Sequence, residues 1–325
     1  MEKIRLAYID RLKGLCILAV IIGHFAIWPL GLDDDWVTLF VTSFHMPVFM
    51  FLSGLVLSTP DLSKCIRKLP HFILPMLFVG LSLTLYNGNS PKDFILSSTK
   101  SGYWYLWVLS IFYILLSIFN SFYPQKSIKV SYLISLVDLV FGITVFGVLL
   151  VLKMFATEVI SQFLSIDQCF ALWPCFYIGY MAKKYSMTDY IVKHQGVATI
   201  GVLSYIILFV FYVTGIRHLY MIVAITSIVP FIYLFKKRNN SKTRIEQELS
   251  RIGRKSLDIY IYHYFIVDSI SLISVGKWIR LTNNIFLEGV IALFFAIPIA
   301  YLCIIIAKII KNFPLLYRIV YGKSI

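Results

Sequence analysis

The chain has 325 residues, of which 59% are hydrophobic and only 14% are charged. Soluble domains are about 45–50% apolar and about 25% charged, so this composition excludes a soluble globular protein and a disordered one. Lys and Arg number 30 and Asp and Glu number 16, which gives a net charge of +14. In so apolar a chain the basic residues report membrane topology first, and we expect no nucleic-acid partner.

Apolar runs of about 15–22 residues recur along the chain, and a helix of that length crosses a hydrocarbon layer about 30 Å thick. The predicted fold class is therefore all-α: a polytopic membrane protein with about ten transmembrane helices, in a single domain that covers residues 1–325. The predicted spans are 12–30, 37–58, 70–86, 103–122, 131–152, 167–182, 196–214, 219–235, 257–275 and 286–308.

Lys and Arg are distributed unequally between the two predicted sides of the membrane. The N-terminus, every second loop and the C-terminal tail contain 24 of them, and the other loops contain 6. Because positively charged loops stay in the cytoplasm, both termini are predicted to be cytoplasmic. The longest predicted loop runs from Lys236 to about Ser256, and we expect its basic residues to contact membrane lipids.

The five cysteines lie mostly inside apolar runs. They form no CxxC pair and no Cys/His cluster at the spacing of metal ligands. We interpret them as small buried side chains, and we expect neither a disulfide framework nor a metal site.

The first predicted span carries ionisable residues at a helical spacing. His24 follows Lys13 by eleven residues, about 16 Å along a helix, which places His24 near the middle of the bilayer. Eleven residues at about 100° each return to within about 20° of the starting direction, so Lys13 and His24 share one face. Arg11 points away from that face, whereas Asp10 lies near it and can orient Lys13. Lys13, Asp10 and Arg11 are the candidate donor-binding residues of this helix.

This arrangement suits acyl-transfer chemistry. An imidazole titrates near neutral pH and can take a proton from a hydroxyl group under attack. A cation at the cytoplasmic end suits a phosphorylated ligand, and the pantetheine arm of coenzyme A is comparable in length to the gap between Lys13 and His24. A structural alternative stays open, in which His24 only forms a hydrogen bond to a neighbouring helix.

Two further histidines lie inside predicted spans. His45, in SFHMPVFMFLSGLV, lies about 10 Å below the outer edge of the bilayer, and His24 lies about 14 Å below it. The two rings can therefore line one cavity, which makes His45 a second catalytic candidate; the alternative is a helix-packing contact. His263, in SLDIYIYHYFIV, lies about 9 Å above the inner edge and is either a substrate-binding or a structural residue.

Several residues outside the first span are candidates for substrate contacts. Trp104 and Tyr105 open the fourth predicted span on the outer side, as a platform for a sugar ring or as an interfacial aromatic belt. Glu158, in the outer loop after the fifth span, can hold a sugar hydroxyl. Arg67 and Lys68, on the cytoplasmic side, can add contacts to the phosphates of a donor.

Several segments resemble motifs of the membrane acyltransferase-3 family. IDRLKGLCILAVIIGHF resembles its opening motif: an acidic residue, a basic residue, then ten residues and a histidine. SFHMPVFMFLSGLV is similar to its second-helix signature in fucose-4-O-acetylase-like members. WYLWVL, LWPCFYIGYMAKK and SLDIYIYHYFIV are similar to later segments of the family, so the resemblance covers nearly the whole chain in order.

The resemblance implies transfer of an acyl group, usually acetyl from acetyl-CoA, to a hydroxyl of a cell-envelope glycan. The expected partners are therefore acetyl-CoA and the glycan acceptor, and the expected location is a bacterial-type cytoplasmic membrane. His24 matches the catalytic histidine of the family, and Lys13 matches its basic partner. Many members have arginine at that position, and lysine keeps the charge but loses the bidentate grip on phosphate.

Two other functions stay open at this level. A transporter or flippase for a glycan or a small anion would use the intramembrane polar residues as a path, but the sequence shows neither internal repeats nor paired broken helices. A membrane glycosyltransferase would place catalytic carboxylates in its first outer loop, where Asp33, Asp34 and Asp35 lie.

Overall fold

The computed structural model describes residues 6–57, 61–123, 132–239, 243–282 and 284–322. Within these ranges the chain forms helices joined by short connections and contains no strand. The prediction of an all-α fold is therefore confirmed. All five cysteines are buried, as predicted from their apolar surroundings.

The α-helices follow one another along the chain with few residues between them. They are α1 (Ala7–Ile27), α2 (Trp36–Val56), α3 (Leu62–Lys68), α4 (Pro70–Tyr86), α5 (Pro91–Leu96), α6 (Trp104–Phe122), α7 (Tyr132–Phe155), α8 (Glu158–Leu164), α9 (Ile166–Lys184), α10 (Met187–Lys193), α11 (Gln195–Val213), α12 (Tyr220–Lys237), α13 (Arg244–Arg254), α14 (Ser256–Asp268), α15 (Ile273–Thr282), α16 (Ile285–Lys311) and α17 (Pro314–Tyr321). Two short 3₁₀ turns cover Lys100–Gly102 and Arg217–Leu219.

The chain divides into two compact units. The first unit is formed by Met1–Leu55 and Ile178–Ile309, and the second by Val56–Tyr177 and Ile310–Ile325. The prediction of a single membrane domain over the whole chain stays a prediction. His24, His45 and His263 all belong to the first unit, which is therefore the unit that matters most for the predicted chemistry.

In the part of the chain that the structure describes, seven helical segments are long and apolar enough to cross a membrane. The number is eight if α14 and α15, which are bent by 91° relative to each other, form one broken span. The seven segments are Trp36–Val56, Leu62–Tyr86, Trp104–Phe122, Leu136–Phe155, Gln195–Val213, Arg217–Lys237 and Phe286–Lys311.

The two remaining predicted spans, 12–30 and 167–182, fall in α1 and α9, which are helical but more polar. Three charged residues, Asp10, Arg11 and Lys13, lie close together near the start of α1. The protein is a multi-pass membrane protein, whereas the count of ten and the cytoplasmic orientation of the termini stay predictions.

Two glycines let α1 and α13 cross in direct backbone contact. A Cβ atom added at Gly14 would overlap the carbonyl group of Leu249, and one added at Gly253 would overlap the carbonyl group of Asp10. Residues 244–254, which the sequence predicts as part of a loop, therefore form a helix that packs on the first half of α1. These residues lie between two candidate spans, as predicted, and the connection that they form contains a helix that the sequence analysis does not predict.

Arg11 connects the start of α1 to two neighbouring parts of the first unit. Its guanidinium group donates hydrogen bonds to the carbonyl oxygens of Arg238 at 2.7 Å and Asn239 at 3.1 Å. It also pairs with the carboxylate of Glu246 at 3.6 Å. These contacts join α1 to the end of α12 and the start of α13.

In the second unit, a buried lysine joins three segments. The Lys100 ammonium group donates hydrogen bonds to the carbonyl oxygens of Ile95 at 2.8 Å, Ser97 at 2.7 Å and Gln162 at 3.1 Å. Only 2% of Lys100 is exposed. It therefore connects the end of α5 with α8, directly before α6 begins.

Candidate functional site

The first helix carries the predicted donor site and the predicted catalytic histidine. Because α1 is one continuous helix from Ala7 to Ile27, Lys13 and His24 lie on it about 16 Å apart along the axis. Lys13 is partly exposed, and Asp10 is buried where α1 crosses α13. Arg11 is buried and bound to carbonyl oxygens, so its observed contacts are structural. Donor binding by these residues stays a prediction.

His24 lies in a cluster of aromatic rings near the end of α1. Its ring stacks on those of Trp28 and His263, with centroid distances of 4.9 Å and 5.4 Å. The Tyr264 ring is tilted against it at 4.9 Å, and the Tyr264 hydroxyl lies 3.0 Å from His24 Nε2. His45 of α2 is near enough to His24 for the two rings to interact electrostatically. The structure therefore brings together the three histidines that the sequence singled out.

Backbone carbonyl groups fix the protonation of two of these histidines. His263 Nδ1 lies 3.1 Å and 3.0 Å from the carbonyl oxygens of Ile259 and Tyr260, and His45 Nδ1 lies within hydrogen-bond distance of the carbonyl oxygen of Val41. Because a carbonyl oxygen can only accept, both Nδ1 atoms carry the proton and both Nε2 atoms present a lone pair.

Two ring nitrogens of the cluster are buried without a hydrogen-bond partner in the part of the chain that the structure describes. His263 Nε2 and His24 Nδ1 are buried and have no hydrogen-bond partner among the described residues. In the same described part of the chain, no three His, Cys, Asp or Glu side chains are placed so that they could hold a metal ion. Unpaired buried polar atoms are uncommon in folded proteins, and catalytic sites are one of the places where they occur.

The remaining predicted acceptor-binding residues belong to the second unit. Trp104 is half-buried at the start of α6, and Tyr105 is buried, with the two rings edge to face at 6.4 Å. Glu158 is exposed in the first turn of α8 and accepts a hydrogen bond from the Gln162 side chain at 2.9 Å. Of the four predicted acceptor-binding residues, His263 therefore shares the unit of His24, and the roles of all four stay predictions.

The two basic residues predicted to assist donor binding also lie in the second unit. Arg67 and Lys68 end α3, and both are exposed. The Lys68 ammonium group lies 5.6 Å from the centroid of the Tyr113 ring. Their exposure is compatible with a contact to phosphate, which stays a prediction.

The sequence did not single out Trp28 or Tyr264, although both contact His24. Trp28 lies four residues after His24, so the helical period alone places the two rings on one face of α1. Tyr264 follows His263 directly in a run that also contains Tyr260 and Tyr262. No local pattern distinguishes the three tyrosines, and only the packing of α14 on α1 selects Tyr264.

Comparison with known proteins identifies the family. The family model described as "Acyltransferase domain" matches residues 6–305, so the chain belongs to the acyltransferase-3 family, as the motifs predicted. Nodulation protein NolL from Mesorhizobium japonicum is 32% identical over 132 residues. The match covers 35% of this chain and 35% of NolL, so it spans about a third of that relative. No solved structure matches the chain.

Proposed function

We propose that this member of the acyltransferase-3 family transfers an acetyl group from acetyl-CoA to a hydroxyl of a cell-envelope glycan. We place it in the cytoplasmic membrane of a bacterial-type cell. The observation that carries the proposal is the cluster around His24, in which a half-buried imidazole stacks on His263 and lies within electrostatic range of His45, at one end of the helix that bears Lys13. Membership of an acyltransferase family supports the reaction class.

In the proposed reaction the donor enters at the N-terminal end of α1. The Lys13 ammonium group pairs with a phosphate of acetyl-CoA, and the pantetheine arm extends along α1 toward His24. The distance of about 16 Å between the two residues along the helix is comparable to the length of that arm. Lys13 therefore binds the donor, whereas His24 acts on the reacting groups.

His24 supplies the general base in this scheme. It takes the proton from the acceptor hydroxyl while the hydroxyl oxygen forms a bond to the acetyl carbon. The carbon–sulfur bond then breaks, the electron pair leaves with the sulfur of coenzyme A, and that sulfur takes up the proton. A covalent acetyl-histidine is the other route open to an imidazole, and trapping the radiolabelled acetyl group on the protein without acceptor would reveal it.

Replacement of His24 by alanine tests the proposed function. We expect H24A to lower the rate of acetyl transfer by about 10²–10⁴-fold, because this is the usual contribution of a general base. The measurement is coenzyme A release by the purified protein, with radiolabelled acetyl-CoA as donor and chemically deacetylated envelope polysaccharide as acceptor.

The matched control for H24A is H218A. His218 lies in an exposed turn of the same unit, away from any predicted span centre, and its loss should leave both transfer and membrane insertion unchanged. If H24A inserts normally and still transfers acetyl at the wild-type rate, the assignment of His24 is wrong.

A second candidate function is a transporter for a glycan or a small anion. One observation favours it: α14 and α15 form a pair bent by 91°, and broken helices of this kind line the substrate sites of many transporters. Addition of coenzyme A separates the two functions, because a bound ligand raises the melting temperature of the folded protein. A shift with coenzyme A supports the enzyme, whereas uptake of glycan into proteoliposomes without any shift supports the transporter.

A further inference from the structure

The three clustered histidines use their ring nitrogens in two different ways. In His45 and His263 the Nδ1 atom bonds to a carbonyl oxygen of its own helix. In His24 the arrangement is reversed: Nε2 lies 3.0 Å from the Tyr264 hydroxyl, and Nδ1 is buried without a hydrogen-bond partner among the described residues. His24 is thus the one of the three whose Nδ1 is not bound to its own helix.

The surroundings of Nδ1 decide which way the bond between His24 and Tyr264 runs. If the Tyr264 hydroxyl donated to Nε2, the His24 proton would lie on Nδ1, as a buried N–H group without an acceptor. Buried N–H groups without an acceptor are rare, and unpaired acceptors are less so. The favoured arrangement therefore has Nε2–H donating to the Tyr264 hydroxyl oxygen, with the lone pair on Nδ1.

We propose that Tyr264 is a positioning residue that fixes the tautomer of His24, so that Nδ1 is the atom that takes the proton from the acceptor hydroxyl. This inference rests on the proposed function of His24. Beside a catalytic histidine, a carboxylate often sets which ring nitrogen carries the proton. Here we assign that role to a neutral phenol on α14. The other titratable groups that face His24 are His45 from α2 and His263 from α14.

The proposed step is balanced in atoms and charge. The lone pair of His24 Nδ1 takes the hydroxyl proton as the carbon–oxygen bond forms and the carbon–sulfur bond breaks. The imidazolium that results keeps its Nε2–H on the Tyr264 hydroxyl oxygen, and its Nδ1 then gives the proton to the departing thiolate. A second positive charge on the stacked His263 ring would oppose this imidazolium, so His263 stays neutral during the step.

The tautomer can be read directly by ¹⁵N NMR of the histidine-labelled protein in lipid bilayers. The chain has six histidines, so the difference between the spectra of wild type and H24A isolates the signals of His24. We expect a protonated Nε2 and an unprotonated Nδ1 for His24 at neutral pH. A protonated Nδ1 in the wild-type protein would overturn the proposal.

The kinetic test replaces Tyr264 by phenylalanine, which removes only the hydroxyl group. We expect Y264F to lower kcat by about 10- to 100-fold, the usual effect of losing an outer hydrogen-bond partner, with the KM for acetyl-CoA unchanged within about twofold. The matched control is Y205F, because the Tyr205 hydroxyl bonds to Ser43 at 2.8 Å elsewhere in the same unit. Y205F should keep the wild-type kcat.

A fluorinated tyrosine separates positioning from space filling. Incorporation of 3,5-difluorotyrosine at position 264 keeps the hydroxyl but makes it a weaker acceptor, so we expect activity near wild type and an acidic limb of the kcat–pH profile that moves to lower pH. An unchanged kcat–pH profile would contradict the proposal. If Y264F does not fold, the profile of this variant alone tests whether the Tyr264 hydroxyl accepts from His24. If the wild-type protein transfers no acetyl group at all, the proposed function fails, whereas wild-type kinetics in Y264F overturn this inference alone.

Discussion

Arg11 and Lys13 are basic residues two positions apart on α1, and their surroundings separate their roles. Arg11 is buried and donates to the carbonyl oxygens of Arg238 and Asn239, which ties α1 to the end of α12. Lys13 is partly exposed on the face that leads toward His24. The two residues therefore form a matched pair in which the same loss of charge has different consequences.

We expect R11A to lower the free energy of unfolding by roughly 2–4 kcal/mol, because it removes the donor to two backbone carbonyl oxygens and the buried charge that pairs with Glu246. The measurement is the melting temperature of the purified variant in detergent. An unchanged melting temperature would mean that the contacts of Arg11 do not hold α1 in place.

For Lys13 we expect a kinetic effect. K13A should raise the KM for acetyl-CoA about tenfold, which corresponds to about 1.4 kcal/mol, and should change the melting temperature little. K13R should lower the KM below the wild-type value, because a guanidinium group can bind a phosphate through two hydrogen bonds. If K13A lowers the melting temperature and leaves the KM for acetyl-CoA unchanged, Lys13 has a structural role and does not bind the donor.

Much of the site could be predicted residue by residue, for a physical reason. An ionisable side chain inside an apolar run is costly, so His24, His45 and His263 stand out in the sequence without any structure. Their mutual distances could not be predicted, because helix–helix packing sets them. Tyr264 could not be found at all, since a tyrosine in an apolar run carries no comparable cost.

At the scale of elements, the crossing of α1 and α13 depends on two glycines. We expect G253A to destabilise the first unit by about 1–3 kcal/mol, because the added methyl group overlaps the carbonyl group of Asp10 and the helices must move apart. The control is G196A in α11, where an added Cβ has no neighbour within 4 Å. Alanine there should be neutral or stabilising by up to about 1 kcal/mol, since it favours the helix. Equal melting temperatures for both variants would contradict the close crossing.

The connection between α5, α8 and α6 depends on Lys100. Replacement by methionine keeps the length of the side chain but leaves three carbonyl groups without their donor. We expect K100M to destabilise the second unit by roughly 2–3 kcal/mol, and limited proteolysis should cleave it faster than wild type. The control is K92M, because Lys92 is exposed on α5. If K100M resists protease as well as K92M does, the ammonium group is not needed to hold these segments.

The elements themselves were predictable in part. Long apolar helices such as α2, α6 and α11 coincide with predicted spans, since membrane thickness dictates their length. Helix α13 was missed because its charges were attributed to a loop. A signal was present, because Thr243 and Glu246 form a capping box that marks its first turn. The bend between α14 and α15 has no such local signal.

At the scale of the whole molecule, α9 is one of two helices, with α1, that hold a predicted span but are not among the membrane-crossing helices of the described residues. The charge asymmetry predicts ten spans with α9 as the sixth, but α9 is not among the helices of the described chain that are apolar enough to cross on composition alone. Two exposed residues, Asn89 before α6 and His194 after α9, flank the part of the chain in which the number of spans is to be tested. With α9 in the membrane, three spans separate them, and without it only two do.

Cysteine labelling of N89C and H194C in intact cells therefore decides the topology. All five native cysteines are buried, so a membrane-impermeant maleimide should give little background. We expect N89C to react in intact cells and H194C to react only after permeabilisation, because Lys183, Lys184 and Lys193 favour a cytoplasmic loop after α9. Reaction of both variants from the same side would show that α9 does not cross the membrane. With the other predicted spans retained, the two termini would then lie on opposite sides of the bilayer, against the distribution of the charges.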